Sequence, residues 1–322
     1  MIIGTGHSVP DRVLTNFDLE KIVNTSDEWI VERTGIHKRH IKAPEEKTSD
    51  FCLNASLQAL AEADIAASDL DLIIIGTVTG DMCFPATAVF VQYRLGAKRA
   101  AAMDISAACS GFLYGLTIAD SMIAAGKYRH ILVIGAESLS SITDWEDRNT
   151  CVLFGDGAGA VIMAPSDGER GVLSTFLGAD GRLADLLWCP GGGAIHPPTH
   201  ETVDKKLHYL KMAGQEVFLH AVKAMGESAE RALEGAGLNP ADIDLMIPHQ
   251  ANLRIIDATT RRLGMPKEKV FINIDRYGNT SSASLPIALN EARRMGRLKA
   301  GMTCLMVVFG GGFTWASAVV QF

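Results

Sequence analysis

Three stretches of the chain are apolar at almost every position: LDLIIIGT (70–77), HILVIGAE (130–137) and CLMVVFG (304–310). Strands with one wet face alternate apolar and polar residues, so strands this uniformly apolar are expected to be buried on both faces. Between them lie segments with helical character, such as SGFLYGLTIADSMIAAG (110–126), apolar on nearly every side and stopped by Gly126. Such alternation predicts an α/β architecture whose sheets carry helices on both faces. One segment, WCPGGGAIHPPTHETVDKK (188–206), breaks the pattern, and its Gly and Pro predict a long loop that serves as a cover.

The pattern also repeats. ALAEADIAASDLDLIII (59–75) aligns without gaps on ALEGAGLNPADIDLMIP (232–248), each reading as a helix end, a turn and a strand. YRLGAKRAAAMDIS (93–106) resembles RRLGMPKEKVFINI (261–274) as helix, Gly stop and strand, and LFGDGAGAVIMA (153–164) echoes VFGGGFTWASAVVQF (308–322). Three matches in one order predict a duplicated chain with halves at 1–165 and 166–322.

At 322 residues, 48% hydrophobic and 21% charged, the composition is that of a globular enzyme. The net charge of −7 argues against nucleic acid as a partner. The first half holds 13 basic and 21 acidic residues and the second 17 and 16, so the second half can still offer a basic patch to an acidic partner. No apolar run is long enough to span a bilayer, and MIIGTGHSVP lacks the basic start and cleavage site of a signal peptide. A cytoplasmic chain with no membrane partner is expected. The six cysteines form no C-x-x-C pair and no zinc-like spacing, so neither a disulfide framework nor a metal is indicated.

Cys109 stands out by position. AAAMDISAA (100–108) reads as a strand ending in small residues, so Cys109 opens the buried helix that follows. A helix N-terminus presents unpaired N–H groups and favours thiolate over thiol, and such ends together with nearby cations can bring a cysteine's pKa down to roughly 3.5–7.5. A nucleophile needs a proton acceptor and something to hold developing charge. LMIPHQANLRII (245–256) puts His249 just past a buried strand, and DRYGNTSSASLPIAL (275–289) puts Asn279 at a strand-to-helix turn like that of Cys109. Strand ends in α/β architectures converge on one crevice, so the three are expected to meet there. GGGF (310–313) offers N–H groups for half of an oxyanion hole, or is a plain tight turn. GDGAGA (155–160) lacks the Gly-Lys-Ser/Thr of a phosphate loop.

TSDEWIVERTGI (25–36), DISAACSGF (104–112), FGDGAGAV, PHQANLRI, YGNTSSAS and FGGGFTWASA together resemble the motifs of the thiolase-fold condensing enzymes, specifically the β-ketoacyl-acyl-carrier-protein synthase III family. The resemblance implies a five-layer αβαβα fold of two duplicated halves, the nucleophile in the first, His and Asn in the second. It implies a condensing enzyme that initiates fatty-acid synthesis. A short acyl-CoA, acetyl-CoA being expected, acylates Cys109; malonyl-acyl-carrier protein then loses CO₂ and attacks the acyl group, with no cofactor. His249 and Asn279 would hold the enolate, and the N–H groups of Cys109 and Gly311 the oxyanion. By the same resemblance, Thr25, Trp29, Arg33, Arg148, Met212, Gly214, Phe218 and Asn252 would bind CoA. Gln250, Ala251, Asn252, Leu253 and Arg254 would meet the carrier protein, and Phe84 would close the acyl pocket across a homodimer interface. Arg254 has an argument of its own: with Leu253, Ile256, Thr260 and Leu263 facing inward, Arg254, Ala258 and Arg261–Arg262 form a basic stripe suited to an acidic carrier. A Cys–His–Asn set also serves amide hydrolysis, and a silent acyl-CoA-binding scaffold is a third reading.

Overall fold

Two sheets organise the molecule. The computed structural model describes residues 1–322 except 167 and 169. The first sheet contains β1 (Ile2–Ser8), β2 (Leu72–Gly76), β3 (Ala101–Ile105), β4 (Ile131–Ser138) and β5 (Asp156–Met163), in the order β1-β5-β4-β2-β3. β2 runs parallel to both β3 and β4, and β5 antiparallel to β4 and β1. The second sheet contains β6 (Gly171–Ala179), β7 (Leu245–Pro248), β8 (Thr303–Gly310) and β9 (Thr314–Gln321), in the order β7-β8-β9-β6. The uniformly apolar strands lie inside their sheets: every residue of β2 and β4 is buried, as is every residue of β8 after Thr303.

Helices fill three layers around these sheets. α2 (Thr48–Ala63) and α3 (Thr87–Leu95) pack Phe51, Ala55, Ala59 and Val91 on Ile73, Ile75, Leu132 and Ile134, the outer face of the first sheet. α4 (Gly111–Ala124) and α7 (Ser284–Arg294) lie between the sheets, where Phe112, Leu116, Leu285 and Leu289 touch Ile74 and Val133 on one side and Met306 and Val308 on the other. α5 (Gly214–Ala236) and α6 (Leu253–Arg262) cover the far face of the second sheet through Ala221, Met225, Ala229 and Ile256. The five layers are therefore helix, sheet, helix, sheet, helix. A short helix, α1 (Asp27–Thr34), caps a separate cluster around Leu14, Ile30 and Phe154.

The central layer presses unusually close to its sheet. A Cβ built on Gly76 would lie 2.5 Å from the carbonyl carbon of Gly111, and one on Gly135 would overlap the Ser282 carbonyl. Only glycine lets the two turns that open α4 and precede α7 rest on β2 and β4.

One expected strand is missing. Residues 270–273, matched by the repeat to β3, make a single bridge, Val270 to Met246, and no ladder. The side chain of Gln250 takes their backbone groups instead: its Oε1 accepts from the N–H of Asn273 at 3.0 Å and of Ile274 at 3.2 Å, and its amide donates to Phe271 O at 3.2 Å. A segment whose polar groups are satisfied by one carboxamide has no need of a neighbouring strand.

Candidate active site

Cys109 sits in a turn of 3₁₀ helix, Ala108–Ser110, between β3 and α4. Ala108 takes a left-handed φ of 46°, and Ser281, at the equivalent turn before α7, a φ of 48°. Such angles cost a non-glycine residue about 1 kcal/mol or more and persist where the surroundings dictate them. Here the surroundings include the glycine turn after β8. A Cβ on Gly310 would come within 2.7 Å of the Cys109 nitrogen, and Thr314 Oγ1 donates to Ala107 O at 2.9 Å. The groups that favour a thiolate at Cys109 include the Ser281 hydroxyl and the Gly311 N–H.

These donors do not make a resting thiolate. Burial is the largest influence on Cys109 and pushes its thiol up to about 12, against the pull of Ser281 and the two amides, while the carboxyl of Glu137 adds repulsion. The expectation of a lowered pKa at the helix end is thus overturned, because desolvation of a fully enclosed sulfur outweighs a half-charge at a helix terminus. Cys109 rests as a thiol and has to give up its proton as it attacks.

His249 follows β7 and is 2% exposed. Burial alone carries its pKa down to about 3, so the ring is neutral at any ordinary pH. Its Nδ1 lies 2.6 Å from Ser284 Oγ at the start of α7, and its Nε2 has no protein partner among the described residues. When the Ser284 hydroxyl donates to Nδ1, the ring proton must sit on Nε2. Asn279 is held after Gly278 by its backbone, whose N–H donates to Leu153 O at 2.8 Å. Its Oδ1 accepts from the N–H of Ser281 at 2.8 Å, which leaves Nδ2 as a donor without a protein partner among the described residues. Cys109, His249, Asn279, Ser281 and Gly311 line one cavity of about 1390 Å³.

Sequence reasoning missed Glu137, Ser281 and Ser284. Glu137, next to last in β4, is wholly buried and accepts five hydrogen bonds, all from neutral donors. The signal was present, since HILVIGAE closes a wholly apolar strand on one acid. The hydroxyls of GNTSSAS were equally visible, but nothing in their spacing says which faces the cavity.

The same cavity opens past Trp29, Arg33, Met212, Gly214, Phe218, Ala251, Asn252 and Arg254, all expected at the site. Arg33 and Arg148 both pack on the Trp29 ring, 4.5 and 4.7 Å from its centre. Thr25 has a buried hydroxyl with no hydrogen-bond partner. Asn252 caps α6, accepting from the N–H of Arg254 at 2.8 Å and donating to Arg33 O at 3.0 Å. Arg254 is exposed at the mouth beside Phe218.

Three expectations around this mouth need correction. Gln250 is 1% exposed and spends its carboxamide on residues 248 and 271–274, so its side chain cannot meet a carrier at the surface. Leu253 is only partly buried and packs on Gly35, the inward face of α6 being Ile255, Ile256, Thr259 and Thr260. Arg262 faces Glu227 and Glu230 of α5 at 3.9 and 3.5 Å, which removes it from a free basic stripe. Phe84, outside the cavity lining, is 83% exposed.

Comparison with known proteins gives consistent matches along the whole chain. The family profile described as 3-Oxoacyl-[acyl-carrier-protein (ACP)] synthase III matches residues 103–181, and that described as its C terminal matches 233–322. A beta-ketoacyl-[acyl-carrier-protein] synthase III of Desulfitobacterium hafniense is 56% identical, covering 99% of this chain and 97% of that protein. Another from Caldanaerobacter subterraneus is 55% identical with the same coverage. The crystal structure of 3-oxoacyl-[acyl-carrier-protein] synthase III from Aquifex aeolicus VF5 superposes with a TM-score of 0.93 at 51% identity, covering 100% of this chain and 99% of that one. OleA of Xanthomonas campestris, at 21% identity and a TM-score of 0.86, shares the fold.

Proposed function

The chain belongs to the 3-oxoacyl-[acyl-carrier-protein] synthase III family, a condensing enzyme of the acyltransferase class that initiates fatty-acid synthesis with a thiolase fold, and from that premise we propose how its own residues carry the reaction. The observation that carries the reading is the single cavity shared by Cys109, His249, Asn279 and Gly311.

In the first half-reaction the Cys109 sulfur attacks the thioester carbonyl of a short acyl-CoA, acetyl-CoA in our reading. The N–H groups of Cys109 and Gly311, two residues of the cavity lining, hold the oxyanion. One such donor contributes on the order of 10²–10³ in rate. CoA leaves as its thiol, and the acyl group stays on Cys109. In the second half-reaction malonyl-carrier protein enters and loses CO₂. The resulting enolate oxygen accepts from Nε2–H of neutral His249 and from Nδ2–H of Asn279. Burial keeps the imidazole from becoming a cation, and Ser284 fixes the proton on the cavity side. The enolate carbon attacks the acyl carbonyl, the Cys109 sulfur departs, and β-ketoacyl-carrier protein is released. No step calls for a metal or redox cofactor.

The remaining assignments rest on the resemblance and on the mouth's chemistry. Trp29, Arg33, Arg148 and Thr25 receive the nucleotide end of CoA, and Met212, Gly214, Phe218 and Asn252 flank its arm. Because guanidinium groups already stack on Trp29, an adenine ring that stacks there displaces one of them. Arg254, with Ala251 and Leu253 beside it, meets the carrier. A homodimer is supported by the exposed side chains of Val78, Met82, Phe84 and Tyr93 and by the unpaired edge of β3. The two sheets divide at about residue 165, which favours reading the chain as halves at 1–165 and 166–322. No helix among the described residues is long and apolar enough to cross a membrane, and a cytoplasmic setting fits the reading.

Intact mass spectrometry tests it. Acetyl-CoA should add one acetyl group to the wild type and none to Cys109→Ala, and malonyl-carrier protein should then remove the added mass as β-ketoacyl product. Release of free acid without malonyl-carrier protein would identify a hydrolase instead, and no mass gain would identify a silent scaffold.

A further inference from the structure

Acylation leaves one proton without a destination. Cys109 rests as a thiol, while His249 has Ser284 beside Nδ1 and a ring that burial makes a very weak base. Behind the cavity lining lies another titratable group, the buried carboxyl of Glu137. Its Oε2 accepts from Thr77 Oγ1 at 3.3 Å, Val78 N at 3.2 Å, Thr79 N at 3.1 Å and Thr79 Oγ1 at 2.5 Å. Its Oε1 accepts from Ser281 Oγ alone, at 3.1 Å. Ser281 lines the cavity together with Cys109, its turn packs on the Cys109 turn, and its hydroxyl favours the Cys109 thiolate. Sulfur, hydroxyl and carboxylate therefore lie in sequence from the nucleophile to a buried acid, with a hydrogen bond joining the last two.

Resting on the reading of Cys109 as the acylated nucleophile, we propose that Ser281 and Glu137 are the exit path of its proton. As the sulfur–carbonyl bond forms, the S–H proton passes to Ser281 Oγ, and the Ser281 proton passes to Glu137 Oε1. When the carbon–sulfur bond to CoA breaks, the departing thiolate, a stronger base than the carboxylate, takes a proton from Ser281, which lines the cavity. Ser281 recovers one from Glu137, and the carboxylate is restored. Ser281 touches the reacting atom; Glu137 acts through it and is a positioning residue.

Charge gives the path its advantage. A thiolate beside an ionised Glu137 would place two negative charges in one enclosed site, and that repulsion is among the causes that raise the thiol. Passing the proton to Glu137 keeps a single negative charge there throughout. Burial has also raised the Glu137 carboxyl to about 7, against about 3 for His249. The Glu137 carboxylate is therefore a better proton acceptor for the thiol than the His249 ring is. The titratable groups that face Glu137 are Cys109 from the turn before α4 and Cys52 from α2, with Asp81 and Asp104 acting on Cys52 as well. None of them is cationic, so among these groups it is neutral hydrogen-bond donors, not a counter-charge, that favour the Glu137 carboxylate.

Glu137→Gln tests the path with little change of shape. Its carbonyl oxygen can keep the Thr77–Thr79 donors, while its NH₂ faces Ser281 and cannot accept a proton. Rapid-quench mass spectrometry with acetyl-CoA should show wild-type acylation rising with pH through about 7. In Glu137→Gln the rate should fall at least tenfold at high pH and lose that rise, and it should fall far more than CO₂ release from malonyl-carrier protein does. Alkylation of Cys109 by iodoacetamide should lose the same inflection, which a merely structural role would not move. Ser281→Ala should reproduce the loss, and it carries the test by itself if Glu137→Gln does not fold. Wild-type acylation rates with an unchanged pH profile in Ser281→Ala, or in a folded Glu137→Gln, overturn the path and leave the acyl-enzyme reading standing. Failure of the wild type itself to gain an acetyl group overturns both.

Discussion

Replacing His249 with Gln should change how stability depends on pH, in a direction that burial fixes. The ring titrates near 6.5 in an unfolded chain and near 3 in the fold, where desolvation is the cause. A group whose folded pKa is depressed gives stability that is whole above the unfolded value. That stability is lost as pH falls toward the folded value, because the unfolded chain takes up a proton the folded one refuses. The slope is about 1.4 kcal/mol per pH unit, so between about pH 7.5 and pH 5 the wild type loses about 2 kcal/mol on account of this one ring. Glu137 acts oppositely: its raised carboxyl binds a proton in the fold before it does in the unfolded chain, and this favours the folded state as pH drops below about 7. That contribution is common to both proteins and cancels in their comparison. Urea unfolding of wild type and His249→Gln at the two pH values should show the variant keeping about 2 kcal/mol more of its stability at the lower one. Equal losses in the two proteins would refute a buried neutral imidazole, and with it the donor role assigned to Nε2.

Gly310→Ala places a methyl 2.7 Å from the Cys109 nitrogen; overpacking there should cost about 1–3 kcal/mol by thermal unfolding and slow acylation by shifting the nucleophile. Arg254→Glu, at the exposed mouth, should raise the KM for malonyl-carrier protein severalfold, less so at high salt, and leave acylation by acetyl-CoA close to wild type; equal loss of both steps would end the docking role. Phe84→Asp should turn a dimer into a monomer in analytical ultracentrifugation, since it charges a ring that is 83% exposed in the single chain.

Most of the architecture was legible because the signals were redundant. β2, β4 and β8 announce themselves by continuous apolar runs, and the end of α5 with β7 aligns without gaps on the end of α2 with β2. The segment at 270–273 misled because Phe271 and Ile272 look like strand residues, whereas their fate depends on a Gln side chain twenty residues earlier. The site divided the same way. Cys109 and His249 could be found because each follows a strand and precedes a helix, and Asn279 because it occupies the turn before α7 that matches the Cys109 turn, although the strand expected ahead of it is missing. These are properties of order along the chain. Charge state could not be found so. That Cys109 is a thiol, and that Glu137 is half-ionised near neutrality, follows from enclosure by atoms brought from both sheets. Arg262 failed as a free cation because its acidic neighbours lie on α5, more than thirty residues away in sequence.

The contact of Gly76 with Gly111 and of Gly135 with Ser282 has a consequence for how such an enzyme can diversify. With main chain lying directly on main chain, the reacting groups are set into the masonry of the protein, and no shift of a few tenths of an ångström is open to them. New starter units must be accommodated by recarving the walls, at side chains such as Leu139, Ile142, Leu187 and Met225 that line the chamber, while the hearth at its centre stays where it is.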